Sequence, residues 1–352
     1  MPSELQARRV WPRPMRRRGS VRFRGLRSCC LAVWLCCLWT AVSFGQQLNL
    51  NIYHVHVGQG DATLIVSPSG KTVLIDGGNR GRGTADVVPL LRSLGIRRLD
   101  YVVATHYDAD HIGGLDEVVG SLTSIRLAAY DRGDTNLASQ TGEYKDYVRA
   151  VGRKRRTIRP GTKLAIDPNV ELMCVAVNGK VLGRPDPELP DPVGENDQSI
   201  ALKLRYGRFD YFTGGDLTGG GNSGLKATAD VESVVAEVVG DVDVLRINHH
   251  GSNTSSNKSF LTALKPETAI ISVGTDGVNL RYHHPTRQVL NRLHAVPGLE
   301  NVFQTSRGNT YGGLRQRDRE LIEVTDQTIH LSTDGNTYTI NGHAFTVDER
   351  QE

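Results

Sequence analysis

The stretch that most constrains this chain runs from Leu99 to Gly114: Leu-Asp-Tyr-Val-Val-Ala-Thr-His-Tyr-Asp-Ala-Asp-His-Ile-Gly-Gly. Its first part, residues 99–104, is a short β-branched and aromatic run that reads as a buried strand. The strand ends in His106, Asp108, Asp110 and His111, four metal-competent side chains within six positions. Imidazole and carboxylate at this density suit divalent transition metals such as Zn or Mn. The His106/Asp108 alternation puts two donors on one face of an extended turn, and Asp110 and His111 fall where the next helix begins. One segment can therefore serve two adjacent ions.

The flanking sequence alternates strand-like and helix-like runs. Residues 48–57, 62–67 and 71–75 read as consecutive strands, separated by Gly58-Gln59-Gly60 and Pro68-Ser69-Gly70. Residues 84–94 carry Val87, Leu90, Leu91 and Leu94 at helical spacing, with Thr84 as cap and Gly95 as stop. Helices are predicted over 114–122, 230–239 and 285–293, and strands over 171–177, 199–205, 209–213, 242–247 and 269–273. Residues 183–196 read as a loop, and 320–347 alternate as β-hairpins do. A meander followed by strand–helix alternation predicts a layered α/β fold with mixed sheets, not a purely parallel doubly wound sheet. The 38 glycines also fit a loop-rich, enzyme-like fold better than a helical bundle.

The formal charge of +4 is unevenly placed. Residues 1–45 hold nine of the 42 basic residues and one of the 38 acids, Glu4, and include an uncharged run at 28–43. A basic segment, an apolar segment and small residues at Ala41, Ser43 and Gly45 together form an export-signal pattern. The apolar run is shorter than the roughly 20 residues of a spanning helix, so an uncleaved anchor is the second reading. The remainder carries 33 basic and 37 acidic residues, a net of −4, with no global attraction for nucleic acid. Four of the five cysteines (Cys29, Cys30, Cys36, Cys37) lie in the leader, leaving Cys174 in an apolar run. One cysteine cannot close an intramolecular disulfide, so stapling must come from the core or from metals. A basic cluster (Arg153, Lys154, Arg155, Arg156, Arg159, Lys163) reads first as a solvated loop and second as a phosphate-holding patch.

Thr105-His106-x-Asp108-x-Asp110-His111, followed by Gly113-Gly114, resembles the metal-binding motif of the metallo-β-lactamase superfamily. The resemblance extends to His56-Val-Gly-Gln59-Gly-Asp61-Ala, Leu74-Ile-Asp76-Gly-Gly, Phe212-Thr-Gly-Gly-Asp216, the segment from Asp243 through His249-His250-Gly-Ser252, and Tyr282-His-His284-Pro285. The pairing of Val57-Gly-Gln-Gly-Asp61-Ala with His249-His250-Gly-Ser252 is similar to the soluble hydrolase domain of ComEC-type bacterial competence proteins. It covers roughly residues 50–305. The resemblance implies a four-layer αββα sandwich with mixed sheets, holding two divalent ions (Zn or Mn) and a metal-bridging hydroxide. It matches His106 and Asp108 to ligands of the two different metals, with His106 on the first. Asp110 and His111 match ligands of the second, Asp216 the carboxylate bridging both, and His249 or His250 the last histidine. Alternation along a strand would point adjacent histidines to opposite sides, so one of the two is the ligand; His249 is the first choice, and His250 is then left to contact substrate or support from behind. Asp110 is also the candidate to orient the water or take its proton. His284 is the candidate for the developing oxyanion or a phosphate, and Ser252 for substrate contact. Asp76 and Asp61 are expected in turn or supporting roles; His56 adjoins the loop and His54 reads as structural. Where many superfamily members carry a further histidine, this chain reads Glu195-Asn196-Asp197-Gln198-Ser199, and Asp197 or Asn196 is the candidate replacement.

The implied organisation is a signal peptide at 1–45, a metallo-β-lactamase-like hydrolase domain at 46–315 and a β-rich extension at 316–352. The mature chain is expected outside the cytoplasm, periplasmic or extracellular, without a stable membrane span. The implied activity is metal-dependent hydrolysis of a phosphodiester such as DNA. The second reading is hydrolysis of a small ester, lactone, phosphoester or lactam, so the partner is a nucleic-acid or small-molecule substrate. A non-catalytic, metal-stabilised binding module is the third reading. The carboxylate-rich donor set opposes it, because structural sites close their coordination with fewer carboxylates.

Overall fold

Along Leu50–His54 every second side chain is buried, so the strand has one face committed to a core and needs sheet partners on both edges. The computed structural model describes residues 49–122, 124–134, 141–185, 194–223, 226–275 and 282–347. The expected signal peptide and most of the 183–196 loop lie outside the described residues. The first half comprises β1 (Leu50–His54), β2 (Thr63–Val66), β3 (Thr72–Ile75), α1 (Val88–Ser93), β4 (Leu99–Val103), α2 (Ala109–Ile112), α3 (Leu115–Ser121), β5 (Ile125–Asp131), α4 (Gly142–Val151) and β6 (Arg155–Thr157). Next come β7 (Val170–Val177), β8 (Lys180–Val181), β9 (Ala201–Tyr206), β10 (Phe209–Thr213) and a small hairpin, β11 (Asn222–Ser223) with β12 (Lys226–Ala227). They are followed by α5 (Val231–Val239), β13 (Val244–Arg246), α6 (Lys258–Leu264), β14 (Thr268–Ile271), α7 (Arg287–Leu293) and β15 (Asn301–Gln304). The chain closes with α8 (Gln316–Leu321), β16 (Ile322–Val324), β17 (Ile329–Thr333), β18 (Thr337–Ile340) and β19 (His343–Thr346).

Two mixed sheets result. The first runs β19-β18-β17-β1-β2-β3-β4-β5-β6 and the second β16-β15-β14-β13-β10-β9-β7-β8. Each is antiparallel in part, as in β1–β2–β3 and β7–β9–β10. Each turns parallel where helices intervene, as in β3–β4–β5 and β10–β13–β14–β15. Ile52, Val73 and Val103 of the first sheet share one buried cluster with Leu202, Tyr211 and Val244 of the second. A separate cluster packs α1, α3 and α4 on the outer face of the first sheet, and another packs α5, α6 and α7 on the outer face of the second. The layering is the expected αββα sandwich. Both groups of parallel strands end beside one another, which is where an α/β fold presents its loops.

Local departures have local causes. The helix expected at 84–94 is split into a wide turn over Gly83–Val87 and α1, with Pro89 in the first turn of α1. Thr84 is not a cap; its amide and that of Gly81 donate instead to the Glu117 carboxylate from α3 (2.9 and 2.5 Å). The last helix of the prediction starts at Arg287 with Thr286 as cap, two residues past Pro285. The basic cluster contains an edge strand, β6, in which Arg155 pairs with Asp131 and Asp134 at 2.6 and 2.7 Å, and Lys163 pairs with Glu171. Part of its charge is thus cancelled. Cys174 is buried, and burial pushes its thiol up to about 12. Among the described residues no helix is long and apolar enough to cross a membrane.

The tail is woven into both sheets. β16 pairs in parallel with β15, and β17 pairs with β1 in antiparallel register, placing Leu331 opposite Ile52. Leu331 is fully buried in the cluster between the sheets. Leu331→Ala is expected to cost about 2–5 kcal/mol, read from the midpoint of urea unfolding. A tail that merely decorates the domain would leave that midpoint unchanged.

Candidate metal centre

β4 delivers His106 to a buried position and leaves Asp108 at the N-cap of α2. The Asp108 carboxylate makes no capping hydrogen bond and stays partly exposed beside His106, 3.6 Å from its Nε2. Asp110 and His111 occupy the first turn of α2. The loop after β1 closes against that turn because Gly60 has φ +144°, and a Cβ there would stand 2.4 Å from the Asp110 carbonyl oxygen. Asp61 seals the approach by donating its amide to the same oxygen at 3.1 Å.

Asp216, just past β10, is the centre of the cluster. Its carboxylate lies 3.1 Å from His111 Nε2, 3.6 Å from both His249 and His250 Nε2, and 3.9 Å from His106 Nε2. His250 Nε2 also reaches Asp110 at 3.2 Å. Two compact donor groups emerge, His106–His111–Asp216 and Asp110–His111–His250, each with its donor atoms within 4.8 Å of one another. Burial opposes charge, but at Asp216 and His111 mutual attraction outweighs it. Asp216 is held well below the usual carboxylate range by the histidines, and His111 is raised well above the usual imidazole range by Asp216, Asp76 and Asp110. His106 Nε2 is buried without a hydrogen-bond partner, with the Asp108 and Asp216 carboxylates beyond hydrogen-bond reach. Spacing of that kind fits a cation held between the donors, and this donor set suits Zn or Mn.

Strand alternation does not decide between the two adjacent histidines. β13 ends at Arg246, and both His249 and His250 adopt left-handed backbone (φ 50° and 52°) in the turn that follows. Both rings consequently face Asp216. His250 is the more buried; its Nδ1 is anchored on the Ser272 carbonyl at 2.8 Å, leaving Nε2 for the cluster. His249 stands at the wall, with Asn196 Nδ2 3.2 Å from its Nε2. The structure brings His250 into a compact donor group with Asp110 and His111 and sets His249 beside it, both at the same distance from Asp216.

Asp197 does not reach the cluster. One oxygen accepts from Thr218 Oγ1 (2.5 Å) and the Ala229 amide (3.0 Å), and the other from the Gly194 amide (3.0 Å). Its neighbour Asn196 faces the cleft instead, so the short turn at 196–198 presents an amide where the expected carboxylate would be. Asp76 supports the centre from behind. Its carboxylate accepts from the Thr105 amide and hydroxyl (2.8 and 2.7 Å) and lies 2.7 Å from His111 Nδ1, which fixes that ring. His54 is buried away from the cleft, and neither His54 nor His56 lines it.

The cluster floors an open cleft of about 590 Å³ whose walls include Gln59, Asn79, Asn196, Ser252, Tyr282 and His284. Burial pushes His284 down to about 3, so the ring is neutral near pH 7 and interacts by hydrogen bonding. Ser252 Oγ is 3.1 Å from Thr254 Oγ1.

Three supporting residues went unrecognised in the sequence. Glu232, on α5, is buried, and burial pushes it up to about 7. It accepts from Asn248 Nδ2 (2.7 Å) and from the Ser256 and Asn257 amides (2.6 and 2.8 Å), clamping both ends of the histidine turn. The legible signal was an acid among Val231, Val235, Ala236 and Val239, on the apolar face of its helix. Arg132 grips Glu195 through two hydrogen bonds (2.7 and 2.6 Å), and Glu195 also accepts from the Tyr107 amide at 2.8 Å. Arg246 pairs with Asp61 at 2.9 Å beneath the floor.

Residues 55–275, more than half of the chain, match the family model of the metallo-β-lactamase superfamily. The chain belongs to that superfamily. Metallo-β-lactamase-fold proteins bind divalent metals, and the donor groups above are where this member could hold them. It is 28% identical over 302 residues to ComE operon protein 3 of Bacillus subtilis (strain 168), covering 80% of this chain and 34% of that protein. It is 29% identical over 244 residues to competence protein ComA of Neisseria gonorrhoeae, covering 68% of this chain and 28% of that one. The chain thus spans about a third of the length of these relatives. Among solved structures, the Rm3 metallo-β-lactamase aligns with a TM-score of 0.39 and 18% identity, covering 55% of this chain and 73% of that one.

Asp76→Asn is expected to weaken Zn binding about 10–100-fold by releasing the His111 ring, measured by calorimetric titration, with the far-ultraviolet circular dichroism unchanged. Unaltered affinity would remove Asp76 from the support of the centre.

Proposed function

We propose that this protein is a metal-dependent phosphodiesterase acting on nucleic acid. One observation carries the reading: Asp216 lies within 3.1–3.9 Å of four imidazoles at the floor of an open cleft whose walls include amides, hydroxyls and a neutral imidazole. Hydrogen-bonding walls match an oxygen-rich anionic substrate better than the apolar ring of a lactam or lactone. Similarity over most of the chain to bacterial competence proteins supports the same choice.

His106, Asp108, Asp110, His111, Asp216 and His250 would hold two divalent ions, with His249 and Asn196 beside them. Bound there, the ions would acidify a water toward neutrality and neutralise charge on the phosphoryl group. The chain's own residues do the remainder. Asp110, partly exposed at the cleft edge, can orient that water or take its proton. Neutral His284 can donate a hydrogen bond to a phosphoryl oxygen without adding a charge. Asn196 and Ser252, both in the cleft lining, can orient the substrate. Export by the leader at 1–45 belongs to the same proposal, since a disulfide-free domain outside the cytoplasm can draw its stapling from the metals.

Turnover of bis-p-nitrophenyl phosphate and single-stranded DNA is expected to vanish in EDTA and return with Mn or Zn. His284→Ala is expected to lower kcat about 10²-fold. Hydrolysis of nitrocefin or a lactone, with neither phosphodiester turned over, would contradict the reading.

A further inference from the structure

We infer that a second cavity beside the metal cleft grips the flanking part of a single-stranded nucleic acid, stacking an unpaired base and pairing with its phosphates. The inference rests on the phosphodiesterase reading and extends it from a scissile bond to a strand. The cavity measures about 790 Å³, and its lining includes His283, Arg307, Asn309, Tyr311 and Arg319. Tyr282 and His284 line the metal cleft while His283, between them, lines this cavity. The two spaces are therefore opposite sides of one three-residue strip. The strip is fixed to the loop of the second cavity, because the Asn309 amide donates to the His284 carbonyl and Thr310 Oγ1 to the Pro285 carbonyl, both at 2.7 Å.

The chemistry of the cavity is that of a strand platform. Tyr311 is 80% exposed and Tyr282 51% exposed, and such aromatic area in water contributes little to folding. Tyr282 lies parallel to His284 (5.8 Å between centroids, 8°) and Tyr311 meets His283 edge-on (5.9 Å, 86°), so each ring is braced from one side by a site histidine or its neighbour. Arg307 and Arg319 are exposed and make no ion pair among the described residues. The one acid of the lining, Asp326, accepts from Ser306 Oγ at 3.0 Å. Aromatic faces interleaved with cations bind successive nucleotides of a single strand, whereas a duplex keeps its bases out of reach. A small ester would occupy the metal cleft alone and leave this cavity unused.

Fluorescence anisotropy of a labelled phosphorothioate oligothymidylate on the metal-loaded protein tests the inference. Tyr311→Ala is expected to weaken binding about tenfold. Replacing Arg307 and Arg319 with Ala is expected to flatten the plot of log affinity against log salt by roughly 0.7 for each phosphate no longer neutralised. The ratio of oligonucleotide to bis-p-nitrophenyl phosphate turnover is expected to fall in parallel. Wild-type affinity and salt slope in all these variants would overturn the inference while leaving the phosphodiesterase reading intact, as would a wild-type protein that does not bind the probe. Tyr311-dependent binding without hydrolysis of any phosphodiester would sustain the inference and remove the phosphodiesterase reading.

Discussion

The Arg246–Asp61 pair is the constraint on which the rest of the structure leans. Both side chains have at most 1% of their surface exposed, and they meet at 2.9 Å. A buried guanidinium is tolerated only with a close counter-charge, and removing one partner of such a pair typically costs about 3–5 kcal/mol. Arg246 ends β13 in the second sheet, while Asp61 sits in the loop after β1 in the first. The pair therefore bolts the sheets together directly beneath the cleft. Arg246 also donates to the Gly215 carbonyl, one residue before Asp216. The residue that locks the layers also sets the carboxylate on which the donor cluster converges.

Above that bolt the site is built from backbone that resists its own preferences. Asp76, His249 and His250 all sit at positive φ, a region that costs non-glycine residues roughly 1–2 kcal/mol. Such conformations persist only when surroundings over-determine them. Here the determinants are visible: the Thr105 amide and hydroxyl hold Asp76, and Glu232 clamps the histidine turn at Asn248 and Ser256. The Arg132–Glu195 pair anchors the turn bearing Asn196. The donors are thus positioned by groups that lie outside the cleft, as a preorganised centre requires.

What was legible in the sequence was what is local in the chain. His106, Asp108, Asp110 and His111 could be read together because six consecutive positions carry them, and Asp216 because a buried strand ends just before it. The sandwich followed from a meander succeeded by strand–helix alternation. Strand alternation could not choose between His249 and His250, because both lie past the end of β13, in a turn of left-handed backbone that brings both rings to Asp216. Asp197 failed because a carboxylate can also be consumed by backbone amides, which no spacing reveals. Glu232, Arg132 and Arg246 act on partners 16 to 185 positions away, so their roles exist only once the layers are assembled. The tail read as an extension because its hairpin pattern was local. Its pairing with β1 joins Leu50 to Thr333 across almost the whole described chain.

The donor cluster around Asp216 is proposed to hold two divalent ions. Metal analysis of the purified protein and of Asp216→Asn, alongside bis-p-nitrophenyl phosphate turnover, tests that most directly. The predicted result is two divalent ions per chain, a loss of at least one in the variant, and no turnover by it. Fewer than one ion per active chain, or turnover that survives Asp216→Asn, would contradict the two-ion centre.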